Sequence, residues 1–341
     1  MPQEIKLLKK DSYSKLIQKL LDNGQQVFAP TKKNGSVNYT VISSADEVLT
    51  GDYPLPKMSA KSIVFPRTEK LFSYVKNKEG VEVKDFDVES IPNRVVVGLR
   101  PCDAAGFVAV DTTFRVAPQD VILTTRMDRT TVIAVSCNTA DDYCFCTSIG
   151  GGPGSTKGSD MLLTQTKEGD YIAEILSEKG KKVVALAPEL FAEINGQKKE
   201  DNLANVPVKF DSTNLYEKIN AAFNTSIFDE QALRCIGCGS CAYVCPTCTC
   251  FDMQDESKGL QGRRVRGWDS CGFKLFTLHT SGHNPRDTQG QRWRQRLMHK
   301  FSYMKDNLNL TGCEGCGRCS RGCPADMNLA EHIKQITELP L

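Results

Sequence analysis

CIGCGSCAYVCP at residues 235–246 and CEGCGRCSRGCP at residues 313–324 carry one pattern twice, Cys-x2-Cys-x2-Cys-x3-Cys-Pro. A tight loop with thiols at this spacing wraps three corners of a small cube while its backbone N–H groups face the sulfides. The three-residue step starts a helix that carries the fourth thiol away, and in a two-cluster arrangement that thiol serves the other cluster. The spacing therefore predicts one [4Fe–4S] cluster on Cys235, Cys238, Cys241 and Cys323, and a second on Cys313, Cys316, Cys319 and Cys245. Structural zinc normally takes separated Cys-x2-Cys pairs rather than a triple-plus-one run. The C-terminal part is thus expected to be a mainly helical, ferredoxin-like domain with two [4Fe–4S] clusters, and its chemistry is electron transfer.

The rest of the chain has the composition of an ordinary globular protein. Its 341 residues suffice for two domains, with 40% hydrophobic and 25% charged residues. A net charge of +2 gives no global pull toward nucleic acid or an anionic membrane. The N-terminal stretch MPQEIKLLKKDSYSKL lacks the apolar core of a signal peptide, and no segment reaches the roughly 18 apolar residues of a membrane span. Fifteen cysteines spaced as ligands, without an export signal, point to reduced cytoplasm rather than to disulfides. Four of them lie in residues 1–225 and eleven in 226–341, which sets the expected domain boundary. Residues 1–225 read as an α/β domain. Tyr13, Leu16, Ile17, Leu20 and Leu21 recur at helical spacing, and Val37–Ile42, Val95–Leu99, Thr131–Val135 and Val183–Leu186 read as buried strands. Residues 214–233 read as one helix leading into the first cysteine run.

Between the runs lies a basic insertion at about 255–305. From Gln261 to Lys300 there are nine Lys/Arg against Asp269 and Asp287, with Trp268, Trp293, His279, His283 and His299. A solvated basic face on a helix over 289–301 is the plain reading. Nucleic-acid binding lacks any accompanying signature. Positive charge around anionic clusters, or a docking surface for a partner, fits better; Arg292 and Arg296, four apart, would share a helix face. His279 and His283 have the same spacing, though nothing marks them as ligands.

RGWDSCGFKLFTLHTSGHNPR (266–286), RQRLMHKFSY (294–303) and GCEGCGRCSRGCP (312–324), with CPTCTCFD (245–252), RPCD (100–103) and CFCTSIGGGPG (144–154), make the chain from about residue 90 onward familiar. It resembles the iron–sulfur beta subunits of cytoplasmic NAD(P)-linked nickel–iron hydrogenases and the corresponding iron–sulfur subunit of anaerobic sulfite reductase. The resemblance implies a non-catalytic subunit that relays electrons. Its partners would be a flavoprotein linked to NAD(P)H or ferredoxin and a catalytic subunit of the hydrogenase or sulfite-reductase type. The competing reading is a catalytic iron–sulfur or flavin reductase in its own right. A flavin or nucleotide site is not supported, because Gly150–Gly158 ends in no Gly-Lys-Ser/Thr and no GxGxxG follows a strand.

A third [4Fe–4S] cluster is expected on Cys102, Cys137, Cys144 and Cys146. If Val95–Leu99 and Thr131–Val135 are parallel neighbours, Cys102 and Cys137 emerge at one carboxyl edge, where α/β sheets place their sites. The Gly150–Gly154 stretch lets the following loop fold over them. Cys248, Cys250 and Cys271 remain. Free cysteine is commonly a small buried hydrophobe, and a further centre completed by a non-cysteine ligand is the other possibility.

Overall fold

A computed structural model of the chain describes residues 4–51, 53 and 55–340. Its strands are β1 (Glu4–Leu8), β2 (Gln26–Lys33), β3 (Ser36–Val41), β4 (Thr68–Asn77), β5 (Gly80–Asp85), β6 (Arg94–Leu99), β7 (Thr130–Val135), β8 (Met161–Gln165), β9 (Tyr171–Ile175), β10 (Phe191–Glu193), β11 (Phe251–Lys258) and β12 (Gln261–Trp268). The α-helices are α1 (Lys10–Asp22), α2 (Pro101–Arg115), α3 (Val121–Asp128), α4 (Glu178–Leu186), α5 (Leu215–Ala221), α6 (Ile227–Ala232), α7 (Ser240–Tyr243), α8 (Gln289–Met298), α9 (Met304–Leu308), α10 (Arg318–Arg321) and α11 (Leu329–Thr337).

The larger sheet runs β10-β1-β9-β8-β7-β6-β2-β3. Its centre, β2-β6-β7-β8, is parallel, and antiparallel pairs flank it. Both faces of the central strands are buried. Val95 and Val97 pack with Leu16, Ile17 and Leu20 of α1 on one side, and Val96 and Leu99 with Phe65, Phe107 and Leu123 on the other. Each such side chain removed from water contributes about 1.5–3 kcal/mol, which fixes the register of the edge where the site is built. As expected, β6 and β7 are parallel neighbours, with Val95 opposite Thr131.

A third core of Phe210, Leu215, Ile219, Phe228, Trp293, Leu297, Phe301, Leu329, Ile333 and Ile336 holds the C-terminal helices together. This part is not helical throughout. β11 and β12 form a hairpin, and β12 pairs with β4 in a second sheet, β11-β12-β4-β5, built from both sides of residue 225. Every residue of β5 and β11 is exposed.

Other expectations change in detail. Val183–Leu186 is not a strand but the end of α4. The Ser177 hydroxyl caps that helix by accepting from the Gly180 N–H at 3.2 Å, and Gly180 and Val183, one turn apart, face the core. The helix over 214–233 is interrupted at Thr225 and Ser226, giving α5, a short 3-10 turn and α6. The helix over 289–301 is α8 continued by a wider turn, His299–Tyr303. His279 and His283 share no helix face; they close a tight turn in which the His279 N–H donates to the His283 carbonyl at 2.9 Å.

Candidate metal centres

The two cysteine runs fold alike for one local reason. Each places its second cysteine between glycines, Gly237-Cys238-Gly239 and Gly315-Cys316-Gly317, and all four glycines have φ between +60° and +71°. Left-handed backbone curls the loop inward, and the second glycine of each pair sits just before a short helix, α7 or α10, that carries the third cysteine. A Cβ on Gly239 would lie 2.5 Å from the Phe273 ring, and one on Gly317 would lie 2.5 Å from the Tyr143 carbonyl oxygen.

The cysteines then gather into three groups. Cys235, Cys238, Cys241 and Cys323 line one cavity together with Cys319, Gln289, Arg292 and Arg296. Cys245, Cys313, Cys316 and Cys319 line a second with Lys300 and Glu314. In each case the fourth thiol comes from the other run. Cys102, Cys137, Cys144 and Cys146 line a third, larger cavity of about 240 Å³. It lies at the carboxyl edge of β6 and β7: Cys102 is in the first turn of α2, and Cys137 is two residues past β7. Gly151, Gly152 and Pro153 close over it, and the Cys137 N–H donates to the Pro153 carbonyl at 2.9 Å. Among the described residues no three His, Cys, Asp or Glu side chains are placed to hold one metal ion; the thiols stand around cavities instead.

The cavities adjoin. Cys316 lines both the third and the second, and Cys319 both the second and the first. The Cys102 and Cys316 thiols hydrogen-bond to each other. The Phe145 N–H, between Cys144 and Cys146, donates to the Gly315 carbonyl at 2.8 Å, and a Cβ on Gly315 would lie 2.5 Å from the Cys146 backbone.

Buried cations surround this array. Lys300, 3% exposed, donates to Cys245 Sγ at 3.3 Å and to the Gly312 carbonyl at 2.5 Å. Arg296, equally buried, donates to Cys248 Sγ at 3.4 Å and to the Cys241 carbonyl at 2.8 Å, while its Nε has no partner. Lys61 donates to the Ala242 and Cys248 carbonyls at 3.2 and 2.8 Å and lies over the Trp268 ring at 4.0 Å. Among the described residues none of the three is paired with a carboxylate. Burial works against the charge on Lys300 and Arg296, yet the neighbouring cysteines, Cys245 and Cys241 foremost, hold both above their usual pKa. Isolated buried cations are costly, so the set calls for anionic charge at the sulfurs. Burial in turn pushes Cys137 and Cys319 up to about 11 and Cys146 up to about 12. Metal ions that displace those protons, together with these cations, remove the conflict. The residues present therefore fit iron–sulfur clusters.

Arg318 is the exception that is paired. Fully buried, it donates to Asp103 Oδ2 at 2.5 Å and to the Pro56 carbonyl at 2.9 Å, with Cys102 Sγ at 3.7 Å. Arg318 and Lys61 were not legible as site residues; the one available signal was the position of Arg318 between Cys316 and Cys319. Arg292 and Arg296 share a face of α8, as expected, and at 8% and 3% exposure that face lines the cavity of Cys235, Cys238, Cys241 and Cys323, in keeping with the reading of positive charge around the cysteines.

Residues 234–327 match the family model of the 4Fe-4S dicluster domain. The chain is also similar to the beta subunit of sulfhydrogenase 2 from Pyrococcus furiosus, 29% identical over 322 residues that cover 92% of each chain. Both findings agree with the likeness read from the sequence: an iron–sulfur, electron-transfer subunit of an oxidoreductase, with two [4Fe–4S] clusters in its C-terminal part. No helix among the described residues is long and apolar enough to cross a membrane.

Proposed function

We propose that this chain is an electron-relay subunit with three [4Fe–4S] clusters in a row. They are held by Cys102, Cys137, Cys144 and Cys146; by Cys245, Cys313, Cys316 and Cys319; and by Cys235, Cys238, Cys241 and Cys323. The relay would join a flavoprotein that handles NAD(P)H or ferredoxin to a catalytic subunit of the hydrogenase or sulfite-reductase type. The observation that carries this reading is the sharing of Cys316 and Cys319 between adjoining cavities, so that one cysteine of the middle group borders each neighbouring site.

Each cluster supplies a one-electron couple whose potential follows burial, net charge and hydrogen bonds to sulfur. The chain supplies those settings. Lys300, Arg296 and Gln289, whose Nε2 donates to Cys235 Sγ at 3.1 Å, act on the sites of Cys245 and Cys235, and the Arg318–Asp103 pair acts at the seam with the site of Cys102.

Iron and sulfide analysis of anaerobically prepared protein tests the reading. About twelve irons per chain are expected, falling to about eight in Cys102→Ala. About eight irons, unchanged by that substitution, would remove the third cluster. The flavin-free chain should also accept electrons from a strong reductant without oxidising NAD(P)H. Sustained NAD(P)H-dependent dye reduction would overturn the relay.

A further inference from the structure

Cys248, Cys250 and Cys271 lie outside the three groups, and they divide among themselves. Cys248 is engaged by Arg296 at 3.4 Å and by a hydrogen bond with Cys245. Cys250 and Cys271 contact each other: their thiols hydrogen-bond, and the Cys271 N–H also donates to the Cys250 sulfur.

The hairpin explains the meeting. Phe251 opposes Trp268 at its base, and the ladder runs one step further as the Asp269 N–H donates to the Cys250 carbonyl at 3.0 Å. A turn follows, closed by the Phe273 N–H on the Ser270 carbonyl at 3.0 Å and by the Gly272 N–H on Ser270 Oγ at 3.1 Å. It swings Cys271 back over Cys250. Thiols that serve as corners of one cube must stand around its cavity, and neither Cys250 nor Cys271 lines any of the three cavities. Both cysteines are partly exposed, and a groove lined by Phe251, Asp252, Asp269, Phe273 and Leu275 opens on their neighbours. On the inner side, Cys271 is close enough to Cys241 for their charges to interact.

We infer that Cys250 and Cys271 form a redox-active dithiol/disulfide couple beside the site of Cys235, Cys238, Cys241 and Cys323. On reduction the Sγ–Sγ bond breaks, two electrons and two protons are taken up, and two thiols result. Oxidation re-forms the bond and returns both electrons and both protons. The electrons pass one at a time to or from iron–sulfur centres, so the inference rests on the relay reading above; the protons pass to or from solvent, to which both cysteines are partly exposed. The couple stores a two-electron equivalent beside one-electron carriers.

Differential alkylation of the full-length, cluster-loaded protein, poised anaerobically across a range of potentials and then denatured, tests this. The expected result is one peptide pair joined through Cys250 and Cys271 at high potential. Lowering the potential should reopen it with a potential dependence of two electrons rather than one. Cys250→Ser and Cys271→Ser should abolish the joined pair and leave the iron content of the parent. Alkylation of both thiols at every potential overturns the couple, and so does loss of iron in Cys271→Ser, which would make that residue a ligand. Absence of iron from the parent would instead sink the relay reading, and the two failures are separate measurements. If the variants do not fold, the alkylation series on the unaltered protein decides alone.

Discussion

Arg318 and Asp103 set the strongest constraint at the scale of single residues. Both are fully buried, and Asp103 also receives the Tyr39 hydroxyl at 3.3 Å and the Ala60 N–H at 3.2 Å. Breaking a buried pair from one side leaves an uncompensated charge at a cost of about 3–5 kcal/mol. Arg318→Met should therefore destabilise the protein by that amount in anaerobic denaturation, and adding Asp103→Asn should recover part of it. His299 and His332 make a gentler point. Burial lowers each imidazole to about 4 from 6.5. A base with its folded pKa depressed is protonated more readily when unfolded. Its contribution is intact above about pH 6.5 and is lost as pH falls toward about 4. His332→Gln should flatten that decline by about 1 kcal/mol, measured by denaturation at pH 7 and pH 5.

At the scale of elements, crossing of the fourth thiols follows from the short helices α7 and α10, which deliver Cys245 and Cys323 away from their own loops. Cys245→Ser is expected to perturb the cluster proposed on residues 313–319, and Cys323→Ser the one proposed on 235–241. Spectra showing each change confined to its own run would refute the crossing. How much of this was legible depended on where the physical signal lay. β6 and β7 were readable because Val95–Leu99 and Thr131–Val135 are apolar on both faces, as only a central strand requires. Val183–Leu186 misled because four apolar residues in a row do not separate a strand from the end of a helix, and the cap that decides it, Ser177, lies six residues upstream. For Arg292 and Arg296 the spacing gave the shared helix face but not its direction; the cavity that this face lines is assembled from segments distant in the sequence. The Cys250–Cys271 contact was hidden for a similar reason, since it depends on the register of a hairpin within a segment read only as a basic insertion.

On the scale of the whole molecule, the second sheet ties an early stretch of the chain to one near residue 265. β4 and β5 are made from residues 68–85, but the partner of β4 on its other side is β12, residues 261–268. Arg266 reinforces the seam with a buried salt bridge to Glu69 at 2.5 Å and another to Asp120. During synthesis, β4 is finished long before the strand that covers it, so it must wait with an open edge, and open edges invite pairing with other chains. A fragment ending at residue 225 keeps that edge permanently and leaves Glu69 without Arg266. Gel filtration should show it self-associating where the full chain does not, and a monomeric, well-folded fragment would show the seam to be dispensable. The expectation for a gene cut at the boundary suggested by cysteine density is therefore a sticky half.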